Sequence, residues 1–373
     1  MWKKWLWPVS GEVPAGRSRQ GPHAGPSPQV VTPAPAGAET AKPAAGGDPG
    51  PEAGGDRAAA PAPDAGTRMP VGPDAPPSPA GRWAPIVVDQ PIFEFEPKPA
   101  PPTDIYHPDT IFDGWSSERF TVRLASVRGY SHRYSGTPRQ DDAAAACDPA
   151  SGAVIFAVAD GVSSASQSHL GASVACQIAL NDAARQLAAG KHPIDWDRVV
   201  AAVARELTAS ATNLLNQDHP EPEAVEELLA TTLVAGCAMP AGRGTALSII
   251  QIGDSSAWLL QDNRYRCILE QKHDPEAQII SSAVSPLPRI PGRLAPAQIQ
   301  FPEDSVLLVG TDGFGDPLGD GDGKVGQLFA EHLKMPPPPR ALAHLLDFSR
   351  ETFDDDRTLL AIWPLPPGQE PPR

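Results

Sequence analysis

Residues 154–166 read VIFAVADGVSSAS. An unbroken apolar run, VIFAVA, is the pattern of a short strand buried on both faces. It ends on Asp160 and Gly161, and the chain then turns small and polar. An Asp-Gly pair after a strand has two readings. It is a common turn signal. It is also a way to hold a carboxylate at a strand end, with the glycine letting another group approach the backbone. Other strand ends repeat the device. SVLLVGTDGFGD (305–316) places Asp312 and Gly313 after a second apolar run. FDDDRT puts Asp354, Asp355 and Asp356 just ahead of TLLAIW (358–363), and GTPRQDD puts Asp141 and Asp142 just ahead of another apolar stretch. Four acidic clusters therefore meet the ends of strand-like segments, and the repetition shifts the balance toward one shared site. Converging carboxylates repel one another and take up protons unless a cation sits among them. Hard oxygen ligands suit Mg²⁺ or Mn²⁺. No His or Cys cluster points to zinc instead.

The surrounding chain has 373 residues, a formal net charge of −15, 46 prolines and 33 glycines. Residues 1–85 are rich in Pro, Ala and Gly and lack periodic aliphatic residues. Such a segment cannot bury enough apolar surface to offset its conformational entropy, so a disordered tail is expected. Trp2, Trp5 and Trp7 stand at its tip beside Lys3 and Lys4. They are either an accident of a disordered end or a short motif that docks on a partner groove or a membrane surface. Residues 86–117 read as a linker that lays a strand or a few anchoring side chains on the domain. Residues 118–366 are long enough for one well-packed core, and 367–373 form a flexible C-terminus.

Cys147, Cys176, Cys237 and Cys267 have no metal-type spacing and sit in apolar contexts, so nothing demands an oxidising compartment. No stretch is long and apolar enough to span a membrane. MWKKWLWPVS is too short an apolar run for a signal peptide. A cytoplasmic location is expected, and the acidic balance argues against nucleic acid as the main partner.

Within the domain, FTVRLASVRG (120–129) alternates as a strand does. Ser168–Ala189 and Trp196–Asn216 carry apolar residues at helical spacing. TTLVAGCAM (231–239), TALSIIQIG (245–253), SAWLLQD (256–262) and YRCILE (265–270) are strand-like runs separated by short turns, which suggests consecutive antiparallel hairpins. Lys324–Met335 and Arg340–Thr352 read as helices parted by Pro336–Pro339. Strands with helices inserted in pairs fit an α+β domain of two antiparallel sheets with helices packed outside.

The ordered set GYSHRYSGTPRQDD, VADGVSSASQSHLGA, TTLVAG, IGDSSAWLL, LLVGTDGFGD and DDDRTLLAIW resembles the metal-dependent type 2C serine/threonine protein phosphatases. It is closest to a divergent bacterial branch whose first motif runs G-x-S-H…G-x-P-x-Q-D. Any one of these motifs is weak; the set in order, over residues 118–365, is fairly specific. The resemblance implies a central antiparallel β-sandwich flanked by helices in four layers, α-β-β-α, with two Mn²⁺ or Mg²⁺ ions in a cleft at one end. By position, Asp141 matches the first aspartate, Asp160 the carboxylate that bridges both metals, and Gly161 a backbone carbonyl ligand. Asp312 matches the later Asp-Gly ligand. Asp355 matches the aspartate of a closing Asp-Asn pair, and Asp356 stands in the asparagine position as its understudy. Asp142 is then a support to the ligands or a solvent-exposed residue.

The reaction so implied is direct hydrolysis of phosphoserine and phosphothreonine in proteins by a metal-bridging water. No cysteine lies in a phosphate-cradling loop. A partner Ser/Thr kinase is an expectation of reversible phosphorylation and has no signature here. Two positions depart from the family. The phosphate-gripping arginine five residues before the first aspartate is replaced by Gly136, which leaves Arg133 and Arg139 as candidates to bind phosphate, or as ordinary surface residues. The histidine after the Asp-Gly is replaced by Val162, which leaves His132, and less favourably His169, to protonate the leaving group. Asp254 reads as a turn residue between hairpin strands. The proline-rich stretch 281–298 reads as a flap over the cleft or as a tied-down loop. The competing reading of the whole is a catalytically weak or inactive phosphatase-like module that binds phosphoproteins.

Overall fold

The computed structural model describes residues 83–101, 106–269 and 286–368. The tail with its Trp/Lys tip, most of the C-terminal extension and the start of the 281–298 stretch lie outside the described residues.

Eleven strands among the described residues form two antiparallel sheets. The first runs, in spatial order, β1 (Thr110–Ser116), β2 (Phe120–Val127), β11 (Arg357–Pro364), β10 (Val306–Gly310), β7 (Ser256–Gln261) and β8 (Arg264–Cys267). The second runs β3 (Asp142–Cys147), β4 (Val154–Ala159), β5 (Leu233–Ala241), β6 (Gly244–Ile252) and β9 (Ala297–Pro302).

The unbroken apolar runs are explained by burial on both faces. Along β4, Val154, Phe156 and Val158 point into the core between the sheets. Ile155, Ala157 and Ala159 point the other way, into a core shared with helices. Strand β11 divides likewise. Leu360 and Ile362 face the second sheet, and Leu359, Ala361 and Trp363 face a separate helix layer. With a period of two, every side chain of such a strand needs an apolar neighbour, and alternation in the sequence vanishes.

The layer over the second sheet holds α2 (Ser168–Ala188), α3 (Trp196–Leu215) and α4 (Pro222–Leu229). Ala172, Ala175, Ala179 and Ala183, each at most 1% exposed, let α2 lie close on the sheet. Asp195 caps α3 by accepting from the Arg198 amide, and Asn216 closes it in the left-handed conformation. The layer over the first sheet holds α5 (Asp312–Leu318), α6 (Lys324–His332) and α7 (Pro339–Leu346), packed through Phe314, Phe329 and Phe348. The result is the four-layer α-β-β-α arrangement.

Several elements differ from expectation. Strands β6 and β7 follow one another in sequence but belong to different sheets, so Asp254 sits where the chain crosses between sheets and not in a hairpin. The hairpins that do form are β5–β6 and β7–β8. Asp312 and Gly313 open helix α5 instead of a plain turn. The last two helices stop at His332 and Leu346. A short helix, α1 (Tyr130–Ser135), stands where the sequence has only scattered polar residues, and β9 occupies the end of the proline-rich stretch. Ahead of β2 the chain is fastened to the domain by backbone pairing at two places. Val87 bridges to Ser349, and β1 pairs along its whole length with β2. No helix among the described residues is long and apolar enough to cross a membrane.

Candidate active site

Antiparallel pairing brings the four acidic clusters to one end of the sandwich. Asp142 opens β3 opposite Ala159, the last residue of β4, so Asp141 and Asp160 emerge side by side. Gly310 closes β10 opposite Leu359 near the start of β11, so Asp312 and the Asp355–Asp356 pair emerge together. Arg357 pairs with Val127 at the end of β2, which delivers Gly129 and helix α1 to the same place.

Asp141 is 1% exposed. Its Oδ2 accepts from the Thr311 hydroxyl at 2.7 Å and the Thr358 hydroxyl at 2.8 Å. Thr358 also contacts Ser126 Oγ at 2.6 Å, and Arg139 donates to the same Ser126 Oγ at 2.7 Å and to the Asp141 backbone carbonyl. Two hydroxyls on one oxygen leave Oδ1 as the atom available to a ligand. Asp160 is held through its backbone. Its N–H donates to Thr232 Oγ1 at 3.0 Å, and its carbonyl accepts from the Thr232 N–H at 2.8 Å and the Thr231 hydroxyl at 2.9 Å.

Gly161 donates to the Gln140 carbonyl, and a Cβ there would meet the Ser168 and Gln140 backbones at 2.7 and 2.8 Å. The glycine lets the start of α2 pass against the end of β4. Asp355 lies exposed at the lip of the cleft, with Oδ1 accepting from the Asp356 amide at 2.8 Å.

The electrostatics are those of an acidic cleft. Burial, together with the charges of Asp356, Asp355 and Asp312, pushes the Asp141 carboxyl well above its ordinary range, against the opposing hydrogen bond from Thr311. Burial and the neighbouring Asp141 and Asp312 do the same to Asp160. Asp312, half-buried, is pushed up to about 6 by desolvation and the charge of Asp355. Its Oδ1 is buried and has no hydrogen-bond partner. A cluster of carboxylates with a spare buried oxygen and no amine among them fits a hard divalent cation. Asp141, Asp160, Asp312 and Asp355 interact electrostatically at this end of the sandwich, and ligand atoms of His132, Asp355 and Asp356 lie within 4.8 Å of one another.

Other expectations are corrected. Asp356 is 2% exposed, and both its oxygens accept backbone amides, Gly129 at 2.6 Å and Gln140 at 2.5 Å. It ties two loops together through both oxygens. Asp142 accepts from the Ser173 hydroxyl at 2.5 Å, which fastens β3 to α2; it is neither a support to the ligands nor free in solvent. Arg139 is 1% exposed and spent on Pro108, Ser126 and Asp141, so it holds a ligand in place and cannot touch a substrate phosphate. Arg133 is clamped between Asp109 and Asp347, with contacts of 3.1 and 2.7 Å, so its guanidinium is not free to grip phosphate either.

His132 stands with Nδ1 at 2.9 Å from Asp356 Oδ1. Burial opposes its charge, but contact with Asp356 outweighs that and raises its pKa. His169 is buried at the start of α2, its ring packed edge-on against His107 at 5.6 Å. Leu287, in the described part of the proline-rich stretch, pairs its backbone with Thr231 and so fastens that part beside Asp160.

Sequence reasoning missed Thr311, Thr358, Ser126 and Thr231–Thr232 as the groups that hold the carboxylates. It also missed Asp316, whose proton affinity is raised by burial and by the charge of Asp254. The signal available was position alone: a threonine directly before one Asp-Gly pair and another two residues after Asp356.

The family model described as protein phosphatase 2C matches residues 128–348, more than half of the chain. No curated protein matches the chain significantly. Among solved structures, the Mycobacterium tuberculosis serine/threonine phosphatase PstP/Ppp is 18% identical, with a TM-score of 0.43, over 65% of this chain and 98% of its own. PppA of Pseudomonas aeruginosa, described as a regulatory component of a type VI secretion system, is 17% identical, with a TM-score of 0.45, over 68% and 100%. RsbX, solved with magnesium, is 13% identical, with a TM-score of 0.45, over 68% and 100%.

Proposed function

Because the chain belongs to the protein phosphatase 2C family, we propose that it is a protein serine/threonine phosphatase dependent on two Mn²⁺ or Mg²⁺ ions. The observation that carries this reading is the convergence of four carboxylates, one with an unpartnered buried oxygen, at a single end of the sandwich. The metals, when bound, supply a water acidic enough to attack phosphorus at neutral pH and neutralise the phosphate. In this reading Asp141, Asp160, Asp312 and Asp355 would hold the ions. The Gly161 carbonyl completes the set.

The residues of the chain have separate tasks. Thr311 and Thr358 fix the rotation of the Asp141 carboxylate, so that Oδ1 faces the cleft. Thr231 and Thr232 fix the backbone at Asp160. Asp356 holds the loops that carry Gly129 and Gln140, and with them the width of the cleft. His132, beside Asp356, is the group that delivers a proton to the departing serine or threonine oxygen. Phosphoproteins are the substrates, and a kinase that makes them is the implied counterpart.

The deciding experiment is phosphate release from a phosphothreonine peptide by the full chain, with Mn²⁺, with Mg²⁺ and with chelator. Asp160→Ala and Asp312→Asn are run beside it. Turnover that needs metal and falls at least about 100-fold in both variants is expected, since each removes a group that holds the metals. A folded wild type without turnover in either metal would leave the phosphoprotein-binding reading.

A further inference from the structure

The segment ahead of the family match packs on helix α1 and reaches a pocket beside Gln140. Phe95 packs its ring on Tyr130 and Tyr134 of α1, at 6.2 and 5.5 Å. The Lys98 N–H donates to the Arg133 carbonyl at 2.8 Å, and the Lys98 carbonyl accepts from Arg128 at 3.1 Å. Pro99 then lies on Gly136. That residue has φ of +90°, and a Cβ on it would stand 2.9 Å from the Pro99 carbonyl oxygen. No larger residue fits there, so position 136 cannot carry a side chain toward a substrate. Pro101 lines a pocket of about 150 Å³ together with Thr137, Gln140, Ser166 and His169. On the far side, His107 packs on His169, the Pro108 carbonyl accepts from Arg139, and Asp109 neutralises Arg133. Pro101 thus lines the pocket and His107 packs on its His169, and Gln140 of that pocket is the neighbour of Asp141.

The charges around the pocket single out one group. Arg128 and Arg133 face Asp109, and Arg139 is buried. Lys98 is exposed, its Nζ rests 4.4 Å from the centre of the Tyr134 ring, and no carboxylate pairs with it among the described residues. Its Cβ lies 3.6 Å from the Cβ position of Gly136, which itself lines the pocket. We propose that the pocket, lined by Pro101, Gly136, Thr137, Gln140, Ser166 and His169, is the subsite for residues flanking the phosphoamino acid, and that Lys98, beside Gly136, makes it select acidic flanks. A cation at the mouth offsets the repulsion that an acidic cleft exerts on an acidic peptide. This inference rests on the phosphatase reading for its substrate class.

The test uses the full chain and two peptides that carry a phosphonate in place of phosphothreonine phosphate. One has acidic flanks, the other basic, and binding is read by fluorescence anisotropy. The wild type is expected to favour the acidic peptide. Lys98→Glu should weaken that peptide about five-fold relative to the basic one, Lys98→Arg should keep the preference, and Ser166→Trp should weaken both by filling the pocket. A ratio of affinities unchanged by Lys98→Glu, or binding unchanged by Ser166→Trp, overturns the inference. The binding ratio decides this whether or not the wild type turns over, so failure of the phosphatase reading is scored separately by phosphate release.

Discussion

At the scale of single residues, the carboxylates that could meet a cation were legible and the groups that hold them were not. An aspartate beside a strand end can be read from sequence because the apolar run that precedes or follows it is visible. A threonine hydroxyl aimed at that aspartate from another strand cannot. Thr358 shows what this means. Its hydroxyl joins Asp141 Oδ2 to Ser126 and, through it, to buried Arg139. Thr358→Val preserves the shape of the side chain and removes the donor. Mn²⁺ affinity measured by calorimetry is expected to fall roughly 10- to 100-fold, as for other groups that orient metal ligands, while the protein stays folded. Unchanged affinity would mean that Thr311 alone suffices to orient Asp141. Arg139 carries the same lesson in reverse. An arginine near a phosphate site reads as a phosphate ligand, but Arg139 is buried, with Nε and Nη1 donating to backbone carbonyls and Ser126.

At the scale of elements, the strands were legible wherever burial on both faces made them apolar throughout. Element pairing was less so. Consecutive strands β6 and β7 read as a hairpin, yet they enter different sheets, because short apolar strands do not state their partners. Helix α1 was missed because it is short and its residues lack an apolar stripe; it is held by Phe95 from a distant segment. The junction of β4 with α2 rests on Gly161. In Gly161→Ala the new methyl would press on the Ser168 and Gln140 backbones, so the start of α2 must move away from Asp160. Metal-dependent turnover should fall by at least about ten-fold, as expected for misplacement of catalytic groups. The melting temperature of the metal-free protein should drop by a few degrees. Wild-type turnover in this variant would show that the close approach is incidental to the site.

At the scale of the molecule, the acidic end of the sandwich makes stability depend on pH and on metal. The Asp312 carboxyl sits at about 6 in the folded protein, through burial and the charge of Asp355, and near 4 when unfolded. Its raised value means that the folded state binds the proton more tightly. The resulting penalty is full above pH 6 and is relieved as pH falls through 6 toward 4. Asp141 and Asp160 are shifted in the same direction. In chelator, the melting temperature is therefore expected to rise between pH 7.5 and pH 5.5, with a smaller rise for Asp312→Asn. Added Mn²⁺ should raise it at pH 7.5 and do so less at pH 5.5, where protons compete for the same oxygens. A melting temperature that falls on acidification in chelator would refute this account of the cleft.

The sequence by itself determined the two-sheet α+β class, the strands that are buried on both faces and the acidic residues at their ends. Those features are local: hydrophobic period and Asp-Gly punctuation are written into neighbouring positions. Only the tertiary structure decided which strand ends share a side of the sandwich and which oxygens are spent on backbone amides. It alone placed Lys98 and Pro99 on Gly136 and His107 on His169. These depend on contacts between residues far apart in the chain, where each group's partner is set by packing and register, and no local pattern records them.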